Sequence, residues 1–432
     1  MAWDFRTDED YQQHLDWVDQ FVTEEVEPLD YVLDNPYDKS DQRALAVVRP
    51  LQDQVRERGM WAVHLGPELG GKGFGQVKLA LLNEILGRSS WAPSVFGCQA
   101  PDSGNAEILA HYGTEEQKAK YLQPLLDGLI SSCYSMTEPH AGADPTLFTT
   151  RAEKDGDEWV INGEKWFSSN ARYASFFIVM AVTNSDVSAY QGMSMFIVPA
   201  ETPGVGIVRN VGLGGEPEGH GSHGYMRYSN VRVPDDHLLG GEGQAFVIAQ
   251  TRLGGGRIHH AMRTIAQVRK AFDMMCERAL SRQTRTGPLA SLGVVQEQIA
   301  DSWIEIEQFR LLVLRTAWLI DEYKDYKRVR KDIAAVKVAM PKVYHDVAQR
   351  AMHLHGALGV TNEMPFFGMM MGAEVMGIAD GPTEVHKVTL ARQVLKEHSP
   401  VDTLFPSGHL PAKREAARQK LAAALEHAVG NS

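Results

Sequence analysis

Tyr134–Ser135–Met136–Thr137–Glu138–Pro139–His140–Ala141–Gly142–Ala143–Asp144 is the stretch where the chain changes its periodicity. Before it, apolar residues recur at helical spacing, as in Leu15–Val18–Phe21–Val22–Val26 and Leu79–Leu82–Ile85–Leu86. Thr114–Glu115–Glu116–Gln117 has the pattern of a capping box, with Thr114 as the N-cap. After it come runs rich in β-formers: Glu158–Trp159–Val160–Ile161, then 176–182 and 193–198. Asp155–Gly156 and Asn162–Gly163 read as two-residue hairpin turns. From about residue 243 the helical period returns, in Ile304–Phe309–Leu312–Val313–Thr316–Leu319–Ile320 and Ile333–Val336–Lys337–Met340. Helices and strands do not alternate, and no internal repeat appears. The expected class is α+β. It has an N-terminal helical domain over 1–132 and a compact antiparallel β-barrel or sandwich over 133–242. A C-terminal helical domain over 243–398 follows, then a linker and tail helix over 399–432.

Composition narrows the function. The 432 residues carry 43 Lys+Arg and 55 Asp+Glu, a net charge of −12. Neutralising a phosphate backbone needs a basic surface, so no nucleic-acid partner is expected. Three cysteines, Cys98, Cys133 and Cys276, are too few for a disulfide framework and suit a reducing compartment. No apolar run approaches the ~20 residues that span a bilayer. Met1–Ala2–Trp3–Asp4–Phe5–Arg6 lacks an apolar leader core, and Gly430–Asn431–Ser432 is no peroxisomal address. A cytoplasmic location is the expectation.

Several residues invite chemistry, each with a plainer alternative. The opening stretch offers the Thr137 hydroxyl and, beside Gly142, backbone amides at a sharp turn. These can hold a polar heterocycle or an anion, or merely join helix to sheet. Asp380 lies in Met376–Gly377–Ile378–Ala379–Asp380–Gly381–Pro382–Thr383–Glu384–Val385–His386. Pro382 suits the first position of a helix, which would make Asp380 or Gly381 a cap. Arg278–Ala279–Leu280–Ser281–Arg282–Gln283–Thr284–Arg285 is the densest basic run, and a solvated helix face accounts for most of it, with Arg269 and Lys270 on the same predicted helix. His353–Leu354–His355 invites a metal, but no third ligand stands at a convincing spacing. The same holds for His220, His223, His259 and His260, so no metal site is expected.

Thr137–Glu138–Pro139 followed by Ala141–Gly142–Ala143–Asp144 resembles the flavin-binding signature of the acyl-CoA dehydrogenase family. Ala100–Pro101–Asp102–Ser103–Gly104–Asn105, Tyr112–Gly113–Thr114–Glu115–Glu116–Gln117 and the run 160–170 resemble the same family, in order. The likeness spans roughly residues 10–398. It implies a C-terminal four-helix bundle, FAD as cofactor, and removal of two hydrogens from the α and β carbons of an acyl-CoA. On this resemblance Tyr134, Met136 and Thr137 line the pyrimidine edge of the flavin, with Gly142 and Ala143 in the same loop. Ala143 stands where the family commonly has a ligand-contacting serine. Phe167 matches an aromatic beside the ring and Ser169 the hydroxyl that meets flavin N5. Arg282 and Thr284 match an Arg-x-Thr that reaches the FAD pyrophosphate of a neighbouring subunit, which implies a homodimer or homotetramer. Arg285 replaces the family's next aromatic. His353, Gly356 and Ala357 fall on a turn where small residues let backbone approach the other subunit's FAD, and glycine at 356 tolerates positive φ. Glu384 matches a contact to the adenosine ribose.

The resemblance also makes Asp380 the catalytic base. Some members carry that base just before an arginine matching Arg257, and here that position is Gly256. Arg257 and Gly381 would then adjoin the substrate. The implied reaction is α,β-dehydrogenation of an acyl-CoA to the trans-2-enoyl-CoA, with electrons passed to electron-transfer flavoprotein. The same fold serves flavin oxidases and monooxygenases, nitroalkane oxidase among them, and a non-catalytic relative is a further alternative. Joint retention of Thr137, Ser169, Arg282 and Asp380 favours an enzyme.

Overall fold

The computed structural model describes residues 6–430, so the stretch read above through Phe5, and Asn431–Ser432, lie outside the described residues. The N-terminal helices are α1 (Glu9–Phe21), α2 (Gln42–Glu57), α3 (Gln76–Leu86) and α4 (Asp102–Tyr112), with short turns between them. Asp8 caps α1 by accepting from the Tyr11 N–H at 2.9 Å, and Tyr11, Leu15, Val18 and Phe21 form its buried face. The capping box at Thr114 and Gln117 is present.

Seven strands follow: β1 (Ser132–Ser135), β2 (Arg151–Asp155), β3 (Glu158–Ser169), β4 (Phe176–Val182), β5 (Met193–Pro199), β6 (Val205–Val211) and β7 (His223–Pro234). They form one sheet in the order β1-β4-β2-β3-β7-β6, with β5 on β4. The continuous apolar runs of β4 and β5 are buried on both faces. Phe176, Ile178 and Met180 pack with Ile108 and Leu109 of α4, while Phe177 and Val179 pack with Trp159, Phe196 and Tyr228.

Two details depart from the sequence reading. The sheet is mixed rather than wholly antiparallel, because β1 runs parallel to β4, Tyr134 opposite Ile178. Parallel neighbours need a long crossover, and the β2–β3 hairpin supplies it. Asp155–Gly156 does open that hairpin, with Asp155 paired to Glu158. Asn162–Gly163, in contrast, is no turn. It lies within β3, where the register against β7 slips between Ile161 and Gly163. Gly163 has φ +146°, and a Cβ there would lie 2.4 Å from Thr150 Oγ1. The glycine makes a bulge that only a residue without a side chain can fill.

The C-terminal region has α5 (Ala245–Ser281), α6 (Gly293–Tyr323), α7 (Arg330–His355), α8 (Phe366–Ile378) and α9 (Thr383–Leu395), then α10 (Leu410–Gly430) beyond a linker. Ile258, Met262 and Ile265 of α5 join Phe309, Val313, Val336 and Met340 in a core continuous with Leu15, Val18 and Leu79 of the N-terminal helices. The long helix α5 therefore touches both helical regions and, through Ile248, the sheet. No helix among the described residues is long and apolar enough to cross a membrane.

Candidate active site

Asp380 sits in the turn between α8 and α9 with φ +56°, followed by Gly381 at φ +106°. A non-glycine residue in the left-handed region marks a backbone held by its surroundings. The holders are visible: Arg257 Nε donates to the Asp380 carbonyl at 2.9 Å, and His386 Nε2 donates to it at 3.2 Å. Asp380 caps nothing. Pro382 is the N-cap of α9 rather than its first residue, and no side chain caps that helix. The carboxylate instead turns toward α5. A Cβ built on Gly256 would lie 3.0 Å from Asp380 Oδ2, and His260 Nε2 is 3.9 Å from the same oxygen. Burial pushes the imidazoles of His260 and His386 down to about 4 and the Lys337 ammonium down to about 8. Burial also lowers the Arg257 pKa.

The second cluster lies on the sheet. The Tyr134 ring lies under the Arg252 guanidinium at 4.0 Å, and burial raises its phenol pKa, as does the negative charge of Asp380. Tyr134 thus stands near the candidate base. The Thr137 carbonyl accepts from the Trp166 N–H at 2.7 Å, which ties the loop after β1 to β3. The Lys165 ammonium bonds the Met136 carbonyl at 2.8 Å and Glu138 Oε1 at 2.9 Å, and Glu138 also accepts from the Thr149 and Thr150 N–H groups. This buried pair shapes the loop. Phe167 is 39% exposed at φ +58° and stacks on His223 with ring centroids 4.0 Å apart. The Ser169 hydroxyl is 2.9 Å from His223 Nδ1. Gly142 (φ +56°) and Gly356 (φ +66°) have no atom within 4 Å of where a Cβ would stand. An exposed ring beside a hydroxyl, with half-buried Met136 and Thr137 and the open turn at Gly142, fits a planar polar heterocycle such as flavin.

The remaining candidates are exposed or held in local contacts. The basic run is not all helix: α5 ends at Ser281, and Gln283–Thr284 pairs with Gly287–Pro288 in a short hairpin. Arg282 is exposed and extended, and Thr284 Oγ1 bonds the Gly287 carbonyl at 2.7 Å. Arg269 is paired with Glu307 and Lys270 with Glu27. His353, Gly356 and Ala357 are exposed at the end of α7, and Ala143 and Glu384 are exposed as well. His355 is buried, bonds the Ala351 carbonyl and packs on Phe366. Among the described residues no cluster could hold a metal.

Three groups near these clusters carry no functional signal of their own in the sequence. His223 reads in the sequence only as a discounted metal ligand, yet it bridges Phe167 and Ser169. Arg252 and Glu107 were not singled out. Their signal was Gly254–Gly255–Gly256 inside a helical stretch, since each helical glycine costs about 1 kcal/mol relative to alanine. A Cβ at Gly254 would meet the Tyr326 ring at 2.9 Å and one at Gly255 would meet Glu107 Oε2 at 2.4 Å. The three glycines let a tyrosine, a glutamate and the candidate base approach one helix.

A candidate base on a helical turn together with a sheet face that fits a flavin is the layout of a flavin-dependent oxidoreductase. The sequence matches the N-terminal (residues 8–129), middle (133–231) and C-terminal (243–395) domains of acyl-CoA dehydrogenase. The chain belongs to the acyl-CoA dehydrogenase family, FAD-binding oxidoreductases that dehydrogenate acyl-CoA thioesters. It is 43% identical over 360 residues to "Probable acyl-CoA dehydrogenase FadE2" of Mycobacterium tuberculosis, covering 82% of this chain and 87% of that one. It is 40% identical over 398 residues to "Acyl-CoA dehydrogenase family member 11" of Gallus gallus, covering 90% of this chain but only 51% of that protein. Butyryl-CoA dehydrogenase from Megasphaera elsdenii superposes with a TM-score of 0.78 at 27% identity, over 91% of this chain and all of that one.

Proposed function

We propose that this chain converts an acyl-CoA to its trans-2-enoyl-CoA with Asp380 as the base. The observation that carries this is the Asp380 carboxylate aimed at the side-chain-free surface of Gly256, its backbone clasped by Arg257 and His386. FAD, when bound, supplies the two-electron acceptor for the hydride that leaves the β carbon. The α-proton goes to a carboxylate oxygen of Asp380. The thioester oxygen would be held by the Asp380 backbone N–H, which stabilises the enolate-like charge. The missing side chain at Gly256 lets the carboxylate lie against α5 in the position the base needs. An acyl chain entering the cleft expels water and raises the basicity of the carboxylate.

Tyr134, Met136, Thr137, Gly142, Phe167 and Ser169 would hold the flavin from the sheet side. Arg282 and Thr284, with His353, Gly356, Ala357 and Glu384, would serve the cofactor across a subunit interface of a homo-oligomer. Electron-transfer flavoprotein is the proposed electron acceptor. The test is Asp380→Asn. The variant should keep its flavin and lose anaerobic bleaching by acyl-CoA by roughly 10²–10⁴-fold, the usual worth of a positioned base. Bleaching at the normal rate would remove Asp380 from the reaction.

A further inference from the structure

Ser169 ends β3 directly opposite His223, the first residue of β7. Residues directly opposed in an antiparallel pair share one face of the sheet, and here Ser169 Oγ lies 2.9 Å from His223 Nδ1. The register slips between Lys165 and Ser168, and Phe167 inside that slip takes φ +58°. A left-handed phenylalanine persists only where its surroundings hold it. Its ring lies flat on the imidazole, with centroids 4.0 Å apart and planes 10° from parallel. The chain before His223 is pinned as well. The Asn170 N–H donates to the Ser222 carbonyl at 2.8 Å, and the Arg172 guanidinium donates to the carbonyls of Gly219 and Gly221 at 3.1 and 3.3 Å. The imidazole is thus fixed by its backbone and by one ring face, with its Nδ1 against the hydroxyl.

Among the described residues Ser169 Oγ bonds nothing else. A serine hydroxyl has one proton and two lone pairs, and it rotates unless a partner fixes it. With Nδ1 on one side, the direction left for a ligand is set. Burial lowers the His223 pKa against the opposing charge of Glu216, which keeps the ring neutral near pH 7. A neutral imidazole donates from Nδ1 in one tautomer and accepts there in the other. The pair can therefore present either a proton or a lone pair outward. A flavin needs both, since its N5 accepts a hydrogen bond when the ring is oxidised and donates one when it is reduced. A fixed acceptor at position 223, such as a carbonyl, would hold the hydroxyl proton and leave none for the oxidised ring. A fixed donor, such as an ammonium, would leave that proton without an acceptor once N5 carries its own.

We propose that His223 is a positioning residue of the flavin site, whose Nδ1 orients the Ser169 hydroxyl toward flavin N5 in both redox states. This rests on the reading of Ser169 as the hydroxyl that meets N5. The test uses the full chain. FAD binding to the apoprotein is measured by quenching of flavin fluorescence, and the reloaded enzyme is reduced anaerobically with acyl-CoA. Ser169→Ala and His223→Phe should each weaken FAD binding and slow reduction about tenfold, the usual worth of one hydrogen bond. The double variant should be no worse than either single one, because the two side chains act as a unit. His223→Asn places an amide that can donate or accept where Nδ1 stood. It should stay within about threefold of wild type although it loses the stack on Phe167. His223→Gln reaches the Nε2 position instead and should behave like His223→Phe; it carries the test if His223→Phe does not fold. If His223→Asn is as impaired as His223→Phe, or more so, the ring serves by stacking or bulk and the proposal is overturned. It is overturned as well if the Ser169 and His223 effects multiply in the double variant, or if removing the imidazole changes neither readout. If Ser169→Ala changes neither readout, the reading of Ser169 at N5 fails and takes the proposal with it.

Discussion

Gly256 is the residue where the two halves of the site meet. A methyl group there would press on Asp380 Oδ2 at 3.0 Å. Gly256→Ala should therefore slow turnover by roughly ten- to hundredfold through misplacement of the base. Fold stability should stay level or rise by up to about 1 kcal/mol, because alanine favours the helix. Stopped-flow reduction and a urea melt measure the two effects separately. Glu107 makes a second prediction. Its pKa rises from 4.5 to about 7 on folding, so the native state holds a proton that the unfolded chain has released. Stability then falls as pH rises from about 4.5 to about 7, by on the order of 3 kcal/mol, and the loss is complete above that window. Glu107→Gln should flatten that slope, which melts at pH 5 and pH 8 would show. An unchanged slope would mean that Glu107 ionises normally.

Strand β3 shows how one element links the sheet to the site. It begins at a true hairpin, bends at the Gly163 bulge, and then buries Lys165 while Phe167 and Ser169 meet His223 on the face proposed for the flavin. Lys165→Met would leave the Glu138 carboxylate buried without its partner, which should cost roughly 3–5 kcal/mol. The same change frees the loop that holds Met136 and Thr137, so flavin should be lost along with stability. A denaturant melt and the flavin-to-protein absorbance ratio read both. Much of this element was legible in the sequence. The β-rich run and the turn at Asp155–Gly156 follow local rules, whereas Phe167 and Ser169 stand out only through the family resemblance. The bulge was not legible, because Asn–Gly has the same local preference in a turn and in a bulge. What distinguishes them is Thr150, which closes over Gly163 from just before the neighbouring strand β2.

At the scale of the whole molecule, α9 turns apolar residues outward. Val385, Val388 and Leu395 are 48%, 49% and 68% exposed, and Ile378 before the helix is 69% exposed. An apolar stripe on an isolated chain marks a contact surface. The protein should therefore sediment as a dimer or larger, and Val388→Lys with Leu395→Lys should shift it toward monomer and weaken flavin retention. A wild-type monomer in sedimentation equilibrium at micromolar concentration would contradict both the oligomer and the cross-subunit role of Arg282. The sequence by itself determined the order of helical and β regions and the capped helix starts, because those depend on neighbours a few residues apart. Only the tertiary structure decided that β1 and β4 run parallel, that His223 reaches Ser169 and Phe167, and that the Asp380 carboxylate lies against Gly256. Each depends on residues far apart in sequence meeting in space, as Arg257 meets Asp380 across 123 positions, and no local pattern encodes which distant surface a side chain will face.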